Sequence, residues 1–182
     1  MLTLTELCKA YGDKKVLTDF SACFGEGLHG ISAPSGAGKT TLLRIIAGLE
    51  TPDSGTVEGA GIISFSFQEA RLLGWLSAEK NAALAEREKG LGAHFLSALG
   101  LGAELDTPAR SLSGGMQRRV SLARALAAPF DTLLLDEPFS GLDAACAHIA
   151  MKTVKDACIG KCVLLVTHDK ETLTQCDSVT EL

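Results

Sequence analysis

Eight consecutive residues, Ala33-Pro34-Ser35-Gly36-Ala37-Gly38-Lys39-Thr40, limit what this chain can fold into more than any others do. The apolar run Leu28 to Ala33 enters them as a strand. The segment from about Lys39 to Gly48 leaves them as a helix, with Leu42, Leu43, Ile45, Ile46 and Leu49 supplying an apolar face. A strand that turns through glycines into a helix points successive backbone N–H groups at one spot, at the positive end of the helix dipole. That is a phosphate cradle. Lys39 then reaches the β- and γ-phosphates of a nucleotide, and the Thr40 hydroxyl is a ligand for Mg²⁺. An ordinary glycine-rich turn capping a helix is the alternative on these residues alone.

The rest of the chain fits a sheet-and-helix protein. Short apolar runs alternate with helix-period segments, the pattern of an α/β fold with a mostly parallel sheet. Strands are expected at Leu2 to Leu7, Val16 to Phe24, near Thr56-Val57-Glu58, and at Ile62 to Phe67, Thr132 to Leu135 and Val163 to Thr167. A turn falls at Tyr11-Gly12-Asp13, and a helix at about Asp143 to Ala157. The middle, rich in Ala, Leu, Glu and Gly without β-branched runs, reads as a helical lobe. We therefore divide the chain into a core of residues 1–68 and 129–182, with a helical insert at 69–128.

Composition narrows the function classes. At 46% hydrophobic and 21% charged residues the chain is neither disordered nor membrane-embedded. Its apolar runs fall well short of the roughly 18 residues of a membrane span. The alternating start Met1-Leu2-Thr3-Leu4-Thr5-Glu6 is not a secretory signal, so membrane contact is expected only through a partner. A net charge of −5 leaves no nucleic-acid footprint, and Arg118, Arg119 and Arg124 form the one basic cluster. The six cysteines match neither a zinc site nor a CxxC pair, and are expected to be buried, reduced thiols.

Further motifs follow the cradle in order. Asp131-Thr132-Leu133-Leu134-Leu135-Asp136-Glu137-Pro138 is an apolar strand ending in two acids, where open α/β sheets bind ligands. Asp136 suits water-mediated Mg²⁺ binding, and Glu137 suits a base that polarises water. Taken alone, the pair also reads as a solvated strand end. In Leu112-Ser113-Gly114-Gly115-Met116-Gln117, Ser113 is a helix N-cap, and Gly114 and Gly115 allow close approach of an anion. Met116, Val120, Ala123 and Ala127 share a face of the helix that follows.

These residues resemble the ABC ATPases. The cradle matches the Walker A pattern except at its first position, where Ala33 replaces Gly and is expected to belong to the strand. Asp136-Glu137 resembles the end of Walker B, and Leu112 to Gln117 resembles the LSGGQ signature. The resemblance implies a P-loop ATPase core with a small antiparallel β part and an inserted helical subdomain. It implies ATP and Mg²⁺ as ligands, held by Ser35, Gly36, Ala37, Gly38, Lys39, Thr40 and Thr41, with Tyr11 stacked on adenine. Gln68 is then the Q-loop glutamine near Mg²⁺ and water. Asp143 lies in the D-loop Ser140 to Asp143, and His168 is the H-loop histidine that bonds the γ-phosphate. Thr40, Gln68 and Asp136 form the metal set, and Lys39, Gln68, Glu137 and His168 the catalytic set.

In this family ATP lies between two subunits, so Ser113, Gly114 and Gly115 are expected to serve a second copy or a related ATPase subunit. The implied partners are a membrane permease and an extracytoplasmic substrate-binding protein, with the chain on the cytoplasmic face. The run Phe67-Gln68-Glu69-Ala70-Arg71-Leu72-Leu73-Gly74-Trp75-Leu76, with Asn81 following, resembles importers of nitrate, sulfonates and taurine. Beside the Q-loop it suggests permease docking; as plain lobe packing, it would put Trp75 in a local core. Non-transport ABC ATPases and a cassette that binds nucleotide without turnover are the alternatives. The absence of sustained heptads speaks against the first, and retention of Lys39, Asp136, Glu137 and His168 against the second.

Overall fold

The computed structural model describes residues 1–34 and 36–182. Its elements run β1 (Leu2–Tyr11), β2 (Lys14–Phe24), β3 (Gly27–Ser32), α1 (Lys39–Ile46), β4 (Ser54–Glu58), β5 (Ile63–Ser66) and α2 (Ala78–Ala82). Next come α3 (Leu91–Ala98), α4 (Gly114–Ala127), β6 (Thr132–Asp136), α5 (Ala144–Ala157), β7 (Cys162–Val166), α6 (Lys170–Leu173) and β8 (Ser178–Glu181). Five strands form one sheet in the order β5-β6-β7-β3-β8, with every pairing parallel. A smaller antiparallel sheet has the order β2-β1-β4.

The apolar stretches explain the layering. β6 and β7 are buried along their whole length, because both faces of a parallel sheet are covered. Alternation sorts their side chains. Leu133, Leu135, Val163 and Leu165 face the helical lobe with α4 and α5. Leu134, Leu164 and Val166 face α1 and the antiparallel sheet, where Leu42, Leu43, Ile45 and Ile46 complete the packing. At about 25 cal/mol per Å² of apolar surface removed from water, these two layers dominate the folding free energy.

In the lobe, α2 and α3 pack on α4. Val120, Ala123 and Ala127 are buried along α4, and the half-buried Met116 packs against the same cluster. Several boundaries differ from the sequence reading. β3 ends at Ser32, so Ala33 lies beyond the strand, yet without a left-handed φ. α1 stops at Ile46, short of Gly48. β8 was not foreseen: its four residues are mostly exposed and carry no period, and pairing to His29–Ser32 defines them. The thiols are also less hidden than expected. All six are free, but only Cys158 and Cys162 are buried, and Cys23 is exposed. Among the described residues no helix is long and apolar enough to cross a membrane.

Candidate functional site

The C-terminal end of β6 and the start of α1 close one side of a cleft of about 320 Å³. Gly36, Gly38, Lys39, Thr40 and Thr41 line its floor, and Tyr11, Gln68, Asp136 and Glu137 its walls. Lys14 and Val16, which the sequence reading did not single out, line it too. Ser35 lies outside the described residues. The loop needs its glycines. Gly36 has φ 78° and Gly38 φ 97°, and a Cβ on Gly38 would come within 2.9 Å of the Val16 carbonyl oxygen. Gly38 caps α1 without a side-chain hydrogen bond, so the first-turn N–H groups have no side-chain acceptor and face the cleft end of the helix. The Lys39 ammonium arches back to donate to the carbonyls of Ala33 (2.7 Å) and Pro34 (3.1 Å), holding the loop closed around itself.

Two strand-end acids meet this loop. The Thr40 hydroxyl donates to Asp136 Oδ2 at 2.8 Å, across 96 positions of sequence. Burial pushes the Asp136 carboxyl above its ordinary pKa and the neighbouring Glu137 charge adds to this, while the Thr40 bond, Arg44 and Lys39 oppose it. A hydroxyl beside one buried carboxylate is a donor set for Mg²⁺, which keeps water and takes phosphate oxygens for its remaining ligands. Among the described residues no group of three or more His, Cys, Asp or Glu forms a closed cage for a metal. The residues present fit a metal that arrives with a phosphate ligand.

Glu137, only 9% exposed, sits in a left-handed conformation at φ 49°, a strained geometry for a glutamate. Its backbone N–H donates to the Val166 carbonyl at 2.9 Å. Its Oε2 accepts from the Thr167 hydroxyl at 3.1 Å, and Oε1 lies 2.8 Å from His168 Nδ1. The end of β7 thus orients the carboxylate from two sides. His168 does not line the cleft but is joined to it through Glu137.

Tyr11 is half exposed at the mouth of the cleft. Its hydroxyl bonds the Glu50 carboxylate and lies 3.5 Å from Thr41 Oγ1. Glu50 in turn is 3.9 Å from Lys9. The sequence reading missed Glu50, and nothing in its local pattern marks it.

The remaining candidates gather elsewhere. Ser113 caps α4 by accepting from the Met116 N–H at 3.3 Å, and Asp143 caps α5 by accepting from the Cys146 N–H at 2.8 Å. That bond to backbone holds the Asp143 carboxyl below its ordinary pKa. A Cβ built on Gly115 would lie 3.4 Å from Leu142 and 3.5 Å from the Gly141 carbonyl, so these two loops are neighbours. Neither they nor Ala37 line the cleft. Ser113 and Gly114 are exposed and Gly115 is half-buried, which leaves the first turn of α4 open to a partner. Trp75 is 73% exposed and therefore no part of a local core. The Arg71 guanidinium lies 4.1 Å from the Phe67 ring centroid.

The chain is similar to several known proteins. Residues 18–140 match the family described as ABC transporter. The aliphatic sulfonates import ATP-binding protein SsuB 1 of Rhodococcus jostii is 44% identical over 184 residues, covering 93% of this chain and 74% of that protein. The aliphatic sulfonates import ATP-binding protein SsuB 3 of Paraburkholderia xenovorans is 40% identical over 181 residues, covering 95% and 73%. Among solved structures, a dimeric post-hydrolysis state of an ATP-binding cassette, bound to ADP and Pi, superposes with a TM-score of 0.91. Its identity is 27%, and the match covers 100% of this chain and 94% of that one.

Proposed function

Because the chain belongs to the ABC transporter family, we propose that it is the subunit that binds and hydrolyses MgATP to drive a separate permease importing a small anion of the sulfonate type. The observation that carries this reading is the meeting of Thr40 with Asp136 at 2.8 Å and of Glu137 with His168 at 2.8 Å, beside the glycine loop. The substrate class is supported by the relatives named for aliphatic sulfonates import and by the Phe67 to Leu76 run. An exposed Trp75 in that run suits contact with a permease, which would hold the chain at the inner face of the membrane. Residues 69–128 serve, in this reading, as the lobe that couples to it.

The residue roles follow from position and chemistry. The N–H groups of the loop and of α1 bind phosphate oxygens, and Lys39 turns from the Ala33 and Pro34 carbonyls to the β- and γ-phosphates. Thr40, Asp136 and Gln68 would hold Mg²⁺, which when bound supplies positive charge against that developing on the phosphoryl group. Glu137, kept in place by Thr167 and His168, orients a water molecule in line and draws on its proton. His168 is exposed and tied to Glu137 through Nδ1, which leaves Nε2 to donate to the γ-phosphate. Ser113 and the first-turn N–H groups of α4 complete the site of a second copy or a related subunit.

Purified protein tests the reading through MgATP hydrolysis. Lys39→Ala is expected to lower turnover by about a hundredfold or more, the scale of losing one charge-stabilising donor. Glu137→Gln is expected to retain nucleotide and accumulate as a dimer. An alanine variant at Lys39 that hydrolyses ATP at the wild-type rate would refute the assignment.

A further inference from the structure

The basic cluster of α4 is not a surface patch. Each of its guanidinium groups ends on a backbone carbonyl. Arg119 donates to Leu99 at 2.9 Å, and Arg118 reaches Gln68 at 3.5 Å. Arg124 makes the strongest attachment: Nη1 donates to the Arg71 carbonyl and Nη2 to the Ala70 carbonyl, both at 3.0 Å. This is a planar fork spanning two adjacent peptide groups, a task for which guanidinium geometry is suited and an ammonium is not. Burial lowers the Arg124 pKa from its ordinary value, yet arginine keeps its charge at any physiological pH.

The gripped segment is the one that carries Gln68. Gln68 lines the cleft with Lys39, Thr40 and Asp136. Three residues on, Arg71 is held at φ 46°, a left-handed conformation that a long side chain adopts only when its surroundings impose it. The fork from α4 on the Ala70 and Arg71 carbonyls is such a constraint, and the Arg71 guanidinium over Phe67 is a second. The same helix begins at the Ser113 cap, 11 residues before Arg124 and within one rigid α-helix.

We propose that Arg124 is a positioning residue for hydrolysis: its two-pronged hold on Ala70 and Arg71 sets where Gln68 stands in the nucleotide cleft and makes that segment move with the helix headed by Ser113. The inference rests on the ATPase reading above. Arg124 does not line the cleft; it acts through Gln68. The geometry joins the two halves of the site, the cleft wall of one copy and the cap offered to the other, through one side chain.

The test is a double-mutant cycle on the full chain. Arg124→Ala leaves two carbonyls without their donor and removes packing, so Arg124→Lys, which keeps the charge but reaches one carbonyl at a time, is the informative variant. Alone, it is expected to lower kcat by on the order of tenfold to a hundredfold, the scale of a misplaced active-site group. Affinity for fluorescent mant-ATP should stay within about twofold of wild type, since the phosphate loop is untouched. In a Gln68→Ala background the same substitution should change kcat by less than about twofold, because the group it positions is gone. Equal factors in both backgrounds would show a general structural role and overturn the proposal, as would wild-type kcat in Arg124→Lys. An inert wild-type chain would overturn the ATPase reading itself, whereas an active one with additive factors removes only the role of Arg124.

Discussion

Replacing Asn81 by Ala should destabilise the protein by an amount that the hydrogen-bond arrangement fixes. Asn81 has no exposed surface and lies in the short α2 helix. Its Oδ1 accepts from the Leu73 N–H at 2.8 Å, and Nδ2 donates to the carbonyls of Leu73 (3.0 Å), Leu76 (3.2 Å) and Ser77 (3.0 Å). The carbonyls keep other donors after truncation: Leu76 N–H on Leu73, Ala109 N–H on Leu76, and the backbone N–H of position 81 on Ser77. Among the described residues the Leu73 N–H has no second acceptor. Orphaning it costs about 1–3 kcal/mol, and three weakened carbonyls add roughly half a kcal/mol each, for a total of about 2.5–4.5 kcal/mol. At about 2–4 °C per kcal/mol for a chain of this size, Tm should fall by roughly 5–18 °C. Thermal unfolding followed by circular dichroism and by emission of Trp75, the sole tryptophan, reads both the global loss and the release of the loop. Asn81→Asp sharpens the argument. It preserves the acceptor for Leu73 but sets a buried carboxylate against three carbonyls, so it should be worse than Ala at pH 7. Burial raises the pKa of the introduced carboxyl, and the excess destabilisation should shrink as pH falls and the group gains a proton. A Tm for Asn81→Ala equal to wild type, or an Asp variant no worse than Ala, would refute this reasoning.

Asp136→Asn should separate stability from activity. Because burial and Glu137 hold the Asp136 pKa above 3.8, the folded state keeps a proton that the unfolded state has lost, so stability falls as pH rises from 3.8 through the raised value and is flat above it. The asparagine variant should lack that descending limb in a Tm-versus-pH series, melt higher than wild type at pH 7, and lose Mg²⁺-supported hydrolysis. Ser113→Ala removes the cap on α4, costing about 1 kcal/mol of stability. Mant-ATP titration of the monomer should be unchanged while hydrolysis falls; weaker binding to the monomer would place Ser113 in the wrong half of the site.

Much of the site was legible because its geometry is local. Lys39 and Thr40 follow a strand through a glycine turn, and within eight residues sterics leave little choice. The caps at Ser113 and Asp143 are local as well. Asp136 meets Thr40 because α1 packs over β6 and both strand ends open on one edge. What the sequence concealed depends on partners far along the chain. β8 takes its identity from β3. Glu50, which meets the Tyr11 hydroxyl, stands 39 positions further along the chain. Three arginines look like a patch until each is seen spent on a carbonyl. Trp75 left two readings open, a docking surface or a local core, and its exposure removes the second.

The layered packing also limits how this chain can be cut or recombined. Phe95 and Leu96 of α3, and Leu99 just after it, belong to the same apolar cluster as Leu133 and Leu165 of the sheet, so the lobe has no hydrophobic interior of its own. Excised, it would shed most of the surface that folds it; deleted, it would strip one side of β6 and β7. A chimera that swaps lobes between relatives must therefore exchange the facing strand residues too. Even the outer stretch from Glu86 to Gly90 is tied down: Arg87 donates from its backbone to the Ala127 carbonyl and from its guanidinium to those of Leu126 and Ala128, and Glu86 accepts from the Gly90 and Gly92 N–H groups.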